Sequence, residues 1–231
     1  MMATFARFGR AHVTAIALTV LVPLILAATA RLDDSGATAH VISFLFAAVL
    51  VVNRIIGLAL WSRHEGFTVE NVAPMHLCDW AEIAAVITLI FPNQWTYELS
   101  YFWSLGGTLQ ALLTPDLRYG FPHPLFVNFF TQHGGVIAAV LYMMLALGMR
   151  PTPMSIVRTL GWSAVYFGAA IAVNSMLGTN FGYLRAKPKQ PSLMDYMTPW
   201  PFYLIQLGLL TIVFCIAYYL PFFFLDRLWP H

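Results

Sequence analysis

Charge is what this sequence has least of: Asp, Glu, Lys and Arg make up 10% of its 231 residues, against 59% hydrophobic. A soluble domain of this length needs polar faces on most of its elements, so that class is excluded. Long polar linkers are missing as well, and a single transmembrane domain over residues 1–231 is expected. The twelve Lys and Arg residues are scattered and the formal net charge is only +2, which leaves no basic patch for nucleic acid. Cysteine is nearly absent. Cys78 and Cys215 both sit in apolar stretches without CxxC or metal-ligand spacing, which sets aside a disulfide framework and a zinc finger. A Walker loop, a GxSxG elbow, a dinucleotide fingerprint and an HxxxH pair are also lacking. No metal and no cofactor is expected.

Apolar runs are what is abundant. Uninterrupted stretches at 12–30, 40–61, 75–92, 97–114, 124–148, 155–178 and 200–224 each approach the roughly 20 residues that cross a bilayer. The pattern predicts an all-α polytopic membrane protein, a bundle of seven transmembrane helices, with the short fourth span leaving room for six. Turn signals separate the spans at Asp33-Asp34-Ser35-Gly36, Pro92-Asn93 and Pro151-Thr152-Pro153, and a longer connection runs from Gly178 to Pro199. Arg7 and Arg10 ahead of the first run, with Ala28-Thr29-Ala30 behind it, also fit a signal peptide; the run is taken as a retained span. Basic residues near the helix ends divide as Arg7, Arg10, Arg63, Arg118, Arg185, Lys187 and Lys189 against Arg31, Arg150, Arg158 and Arg227. That bias predicts a cytoplasmic N-terminus and an outward C-terminus.

Placing polar residues by depth, at about 1.5 Å of rise per residue, gathers them at one end. Asn53 and Arg54 fall near the end of the second span, and His76, Cys78, Asp79 and Glu82 open the third. Thr108 and Gln110 close the fourth, Asn128, Thr131, Gln132 and His133 occupy the first half of the fifth, and Asn174 closes the sixth. The opposite halves, such as 84–91 and 136–147, are almost purely apolar. An ionisable group in hydrocarbon is costly and needs a partner, so Arg54 requires a carboxylate, with Asp79 and Glu82 in reach. Two readings are open. One is a structural ion pair with interhelical hydrogen bonds; the other is a polar chamber that holds a ligand headgroup or does chemistry.

Within that chamber Cys78 and His133 have the residue types of a nucleophile and its base. A thiol deprotonated by histidine attacks an ester carbonyl and forms an acyl-thioester. The same residues also fit a small apolar cysteine and a hydrogen-bonded core histidine. His76 and Asp79, at i and i+3, share a helix face, as do Cys78 and Glu82 at i and i+4, which suits His76 to pairing with Asp79 rather than to activating Cys78. Gln110, Asn128 and Asn174 are candidate oxyanion donors, Arg54 and the basic loop are candidates for a phosphate, and Asn180 lies in a loop expected to cap the chamber. Gly106-Gly107 and Gly134-Gly135 read as close helix-packing points.

His76-Leu77-Cys78, Gln110-Ala111-Leu112-Leu113-Thr114-Pro115-Asp116, His133-Gly134, and the stretch from Gly178-Thr179-Asn180 through Lys187-Pro188 and Ser192-Leu193-Met194-Asp195-Tyr196 to Pro199-Trp200-Pro201 resemble the YwaF-like family of bacterial integral membrane proteins. That family is similar to eukaryotic transmembrane protein 164, a lipid acyltransferase thought to use a cysteine. It is more remotely similar to the androgen-induced-gene group of membrane hydrolases, which use a threonine and a histidine on fatty-acid esters of hydroxy fatty acids. The resemblance implies a bacterial cytoplasmic membrane, membrane lipids as partners, a cysteine role on Cys78 and a histidine role on His133. Asp79 and Glu82 depart from the apolar or small residues expected in the family motif, and they oppose a negative thiol unless Arg54 neutralises them.

The expected activity is acyl transfer or hydrolysis on the acyl esters of glycerophospholipids. The alternatives are a lipid or small-solute transporter built on the buried ion pair, and a non-catalytic membrane binding protein, which requires a closed polar cluster with no cavity.

Overall fold

A computed structural model describes residues 4–228. Its elements in chain order are α1 (Arg10–Arg31), α2 (Ala37–Glu65), the short α3 (Val69–Val72), α4 (Leu77–Ile90), α5 (Gln94–Trp103), a π turn (Ser104–Thr108), α6 (Leu109–Leu113), α7 (Pro124–Ala146), α8 (Pro153–Leu177) and α9 (Tyr203–Leu228). Among the described residues, six segments are long and apolar enough to cross a membrane, one of them the α3–α4 stretch Val69–Ile90. The helix from 94 to 113, continuous through its π turn, supplies the seventh. The chain is thus a helical membrane bundle, and among the described residues it contains no strand.

Local chemistry sets the helix ends. Pro153 opens α8 at its first position, where its missing N–H is no loss, and the Thr152 amide donates to the Ser155 hydroxyl at 2.7 Å. Gly178, with φ +70°, closes the same helix in the left-handed conformation that favours glycine. The third crossing is different. With 14 residues, α4 spans only about 21 Å, so it starts inside the bundle and leaves the free amides of its first turn there.

The centre of the bundle is α7, which packs against α1, α2, α4 and α5. The α1 contact is close enough that a Cβ at Gly134 would lie 2.5 Å from the Thr19 hydroxyl, the small-residue packing expected where lipid gives no hydrophobic drive. Phe44 and Ile205, each more than 60% exposed, face outward as lipid-exposed side chains do.

Contacts between connections fix which helix ends share a side. The Phe5 amide donates to the Arg118 carbonyl, the Tyr119 hydroxyl to Glu65 and the Asn180 amide to Glu70. At the opposite end the Gln94 amide reaches the Arg150 carbonyl at 2.8 Å, and Arg150 pairs with Asp226. This is the alternation expected from the spans. The expectation that the second end is almost purely apolar needs correcting. Glu98 on α5 is fully buried there and bound by Arg158 of α8 through two hydrogen bonds, Nε to Oε2 at 2.7 Å and Nη2 to Oε1 at 2.6 Å. Arg158, counted from sequence as a helix-end charge, points inward because a buried carboxylate requires it.

Candidate functional site

The polar end holds a cavity of about 1510 Å³ that reaches from the loop residues Lys187 and Asp116 down to Trp103 and Cys215. Its size exceeds the roughly 300–1,000 Å³ of common small-molecule sites. Arg54, His76, Cys78, Asp79, Gln110, Asn128, His133 and Asn180 all stand at its wall. Glu82 and Asn174 do not. Glu82 lies behind Asp79, and Asn174 is turned to a smaller cavity beside Arg185 and Trp200.

The charged groups are joined in a network across three helices. Arg54 of α2 binds Asp79 of α4 at 2.5 Å, with the carboxylate almost fully covered and the guanidinium about a quarter exposed. Gln132 of α7 donates to Asp79 at 3.1 Å and to Glu82 at 3.0 Å. Of the two carboxylates expected for Arg54, Asp79 takes the ion pair, and Glu82 joins it only through the Gln132 amide. One Glu82 oxygen, Oε1, is buried without a partner among the described residues. The second oxygen of Asp79 accepts the His76 backbone amide at 2.9 Å, so the His76–Asp79 pairing inferred from their shared face is a helix cap made through the main chain. The His76 ring instead accepts from the Gly182 amide at 3.4 Å and meets Phe181 edge-on.

Cys78 is the second residue of α4. A helix N-terminus is where a thiolate is best tolerated, because unpaired amides and the helix dipole favour negative charge. The Asp79 and Trp80 amides bond back to the His76 carbonyl, while among the described residues those of Leu77 and Cys78 have no main-chain acceptor. His133, on α7, stacks on Phe129 with ring centroids 4.0 Å apart, and its Nδ1 bonds the Phe129 carbonyl at 2.9 Å. That bond assigns the proton to Nδ1 and leaves the Nε2 lone pair for the cavity. No hydrogen bond joins His133 to Cys78 among the described residues.

The asparagines named from sequence hold the structure together. Asn128 donates to the Asn53 carbonyl at 2.8 Å and accepts from the Trp61 indole at 3.0 Å, clasping α7 to α2. Asn174 bonds Phe181 and Thr179, and Asn180 accepts the amides of Arg185 and Ala186. Both shape the loop that roofs the cavity.

Three participants were not singled out as site residues in the sequence. Gln132 was visible as an intramembrane polar residue, and its bridging role comes from tertiary pairing. Tyr166 of α8 lines the cavity, and its buried hydroxyl has no partner among the described residues; in sequence it is one aromatic in an apolar run. Tyr183 stands at the cavity wall with φ +56°, a strained conformation for a tyrosine. Its hydroxyl approaches Asp116 at 3.4 Å, and burial, with that carboxylate, pushes its pKa up.

Fold and site together define a polytopic helical membrane protein with a polar chamber at one end of the bundle. Residues 7–219 match the TMEM164 family, and the chain belongs to it. Comparison with curated proteins and with solved structures gives no match.

Proposed function

We propose that this protein is a membrane-embedded lipid acyltransferase or acyl hydrolase, with Cys78 as nucleophile and His133 as base. The observation that carries the reading is the position of Cys78 in the first turn of a helix that starts inside the bundle, on the wall of a cavity that His133 also lines. Membership of the TMEM164 family supports it, and so does the family resemblance noted above. The cavity speaks against a closed polar cluster of purely structural purpose.

A glycerophospholipid places an acyl ester beside Cys78. The thiol proton passes through a bridging water to His133 Nε2, and Sγ forms a bond to the carbonyl carbon. The tetrahedral intermediate then breaks its bond to the glycerol oxygen, which takes up the proton from His133. A lysolipid hydroxyl or water repeats the sequence in reverse on the thioester. Arg54 compensates Asp79, the carboxylate next to the thiol in sequence. The placement among YwaF-like bacterial proteins and a cytoplasmic N-terminus belong to the same proposal.

The test is acyl transfer from a chain-labelled phospholipid by purified protein in lipid nanodiscs. Cys78→Ala and His133→Ala should each lower turnover by about 1000-fold or more, as expected when a member of a nucleophile–base pair is lost. Full turnover in both variants would end the reading. Flux of labelled lipid across vesicles without chemistry would point instead to transport through the ion-paired chamber.

A further inference from the structure

We infer that the Tyr166 hydroxyl, with the amides of Leu77 and Cys78, forms the oxyanion pocket that receives the acyl carbonyl during attack by Cys78; the inference rests on the reading of Cys78 as nucleophile. Tyr166 is only 5% exposed, and its Oη is among the few buried polar atoms with no hydrogen-bond partner. A buried hydroxyl left unsatisfied is destabilising, so its retention at a cavity wall calls for a ligand that completes it.

Two contacts aim the group. Trp80 meets the Tyr166 ring edge-on at 5.3 Å and fixes its plane. Gly182, at φ +65°, brings its backbone so close that a Cβ there would stand 2.6 Å from Oη, so the roof loop confines the hydroxyl from above. Trp80 is on the first turn of α4, so its contact sets Tyr166 beside the helix start that carries Cys78, and both residues line the same cavity. The hydroxyl and the free amides of the first α4 turn are thus the unpaired donors on the part of the wall that carries Cys78. Of the three side-chain amides that sequence offered for this role, those of Asn128 and Asn174 are engaged in holding helices and loop together, and Gln110 stands elsewhere on α6 at the cavity wall.

As Sγ bonds to the carbonyl carbon, the carbonyl π electrons move onto oxygen, and that oxygen accepts hydrogen bonds from Oη and the amides. When the C–O bond to glycerol breaks, the pair returns and the carbonyl re-forms as the thioester. Donors aimed at the charge that develops, rather than at the ground state, act on rate and leave binding unchanged.

The experiment compares wild type and Tyr166→Phe, full chain in nanodiscs, by two rates at Cys78: single-turnover acylation by a chain-labelled phospholipid, and alkylation by iodoacetamide. Alkylation is a displacement at saturated carbon and builds no oxyanion. Tyr166→Phe should slow acylation by about 100-fold, the usual loss for one oxyanion donor, with half-saturating lipid concentration unchanged and alkylation within twofold of wild type. Acylation at the wild-type rate would overturn the inference and leave the nucleophile in place. Equal losses in both rates would also overturn it, because Tyr166 would then act on the thiol or the fold. Wild-type protein that forms no thioester under these conditions would remove the underlying reading instead.

Discussion

Each end of the bundle buries an arginine–carboxylate pair, and the two pairs are built differently. At the closed end Glu98 is fully buried, both of its oxygens are held by Arg158 in a two-point fork, Gln94 adds a third hydrogen bond, and the Arg158 guanidinium lies over Trp95. Neither Glu98 nor Arg158 borders the large cavity. At the open end Arg54 gives one short contact to Asp79, Gln132 is shared between two carboxylates, one Glu82 oxygen goes unmatched, and the cavity lies alongside. Saturated pairing without a cavity is a brace between helices. Looser pairing beside a cavity leaves Arg54, which stands at the wall about a quarter exposed and makes a single contact, with donors for a substrate.

The comparison breaks most readily at Arg158. Arg158→Ala leaves Glu98 buried and unpaired, and should lower stability by about 3–5 kcal/mol, read as a fall in the thermal unfolding midpoint in detergent. Acyl transfer per folded molecule should stay within about threefold. Arg54→Ala should do the opposite, abolishing most acyl transfer while costing less stability, because Asp79 keeps the Gln132 and His76 donors. If the two variants behave alike, the distinction between brace and site fails. Gln132→Ala comes next. It withdraws the one donor common to Asp79 and Glu82, and a hydrogen bond to charge contributes about 1.5–3 kcal/mol, so the midpoint should fall by less than in Arg158→Ala.

The smallest effect is expected in the exposed 31–37 connection on the closed side. Hydrogen bonds from the Ser35 hydroxyl and the Thr38 amide hold the Asp33 carboxyl well below the usual carboxylate range. Its folded pKa is therefore lower than its unfolded one, so the stabilisation is complete above about pH 4 and is lost as pH falls through the folded value. Asp33→Ala should remove a slight destabilisation seen below pH 4 and leave the pH 7 to 5 profile unchanged; an altered profile between pH 7 and 5 would contradict this.

Much of the architecture was legible because lipid imposes length and hydrophobicity on each crossing. The spans at 155–178 and 97–114 correspond to helices at 153–177 and 94–113, and depth alone gathered the residues around Arg54 and Asp79 at one end while missing the buried pair at the other. The second helix runs to Glu65, a turn beyond its apolar run, because Arg63, His64 and Glu65 carry it past the hydrocarbon. What escaped was pairing across distance. Glu98 and Arg158 are 60 residues apart, and nothing local marks either as the other's partner. Tyr166 escaped for a related reason: an aromatic in an apolar span looks like packing, and only the position of Gly182 and the start of α4 give its hydroxyl a direction. Asn174 and Asn180 stood out by polarity, but polarity alone does not separate a loop fastener from a substrate ligand.

The most direct measurement is site-mapped mass spectrometry of the purified protein after brief incubation with a chain-labelled phospholipid. Cys78 and Cys215 both border the cavity, but only Cys78 sits at a helix N-terminus, so each protein serves as its own control. The expected result is a labelled acyl group on the Cys78 peptide, released by neutral hydroxylamine as a thioester is, with Cys215 unmodified. Label on Cys215 to the same extent, or no label on Cys78 while lipid is being turned over, would contradict acyl chemistry at the open end of the bundle.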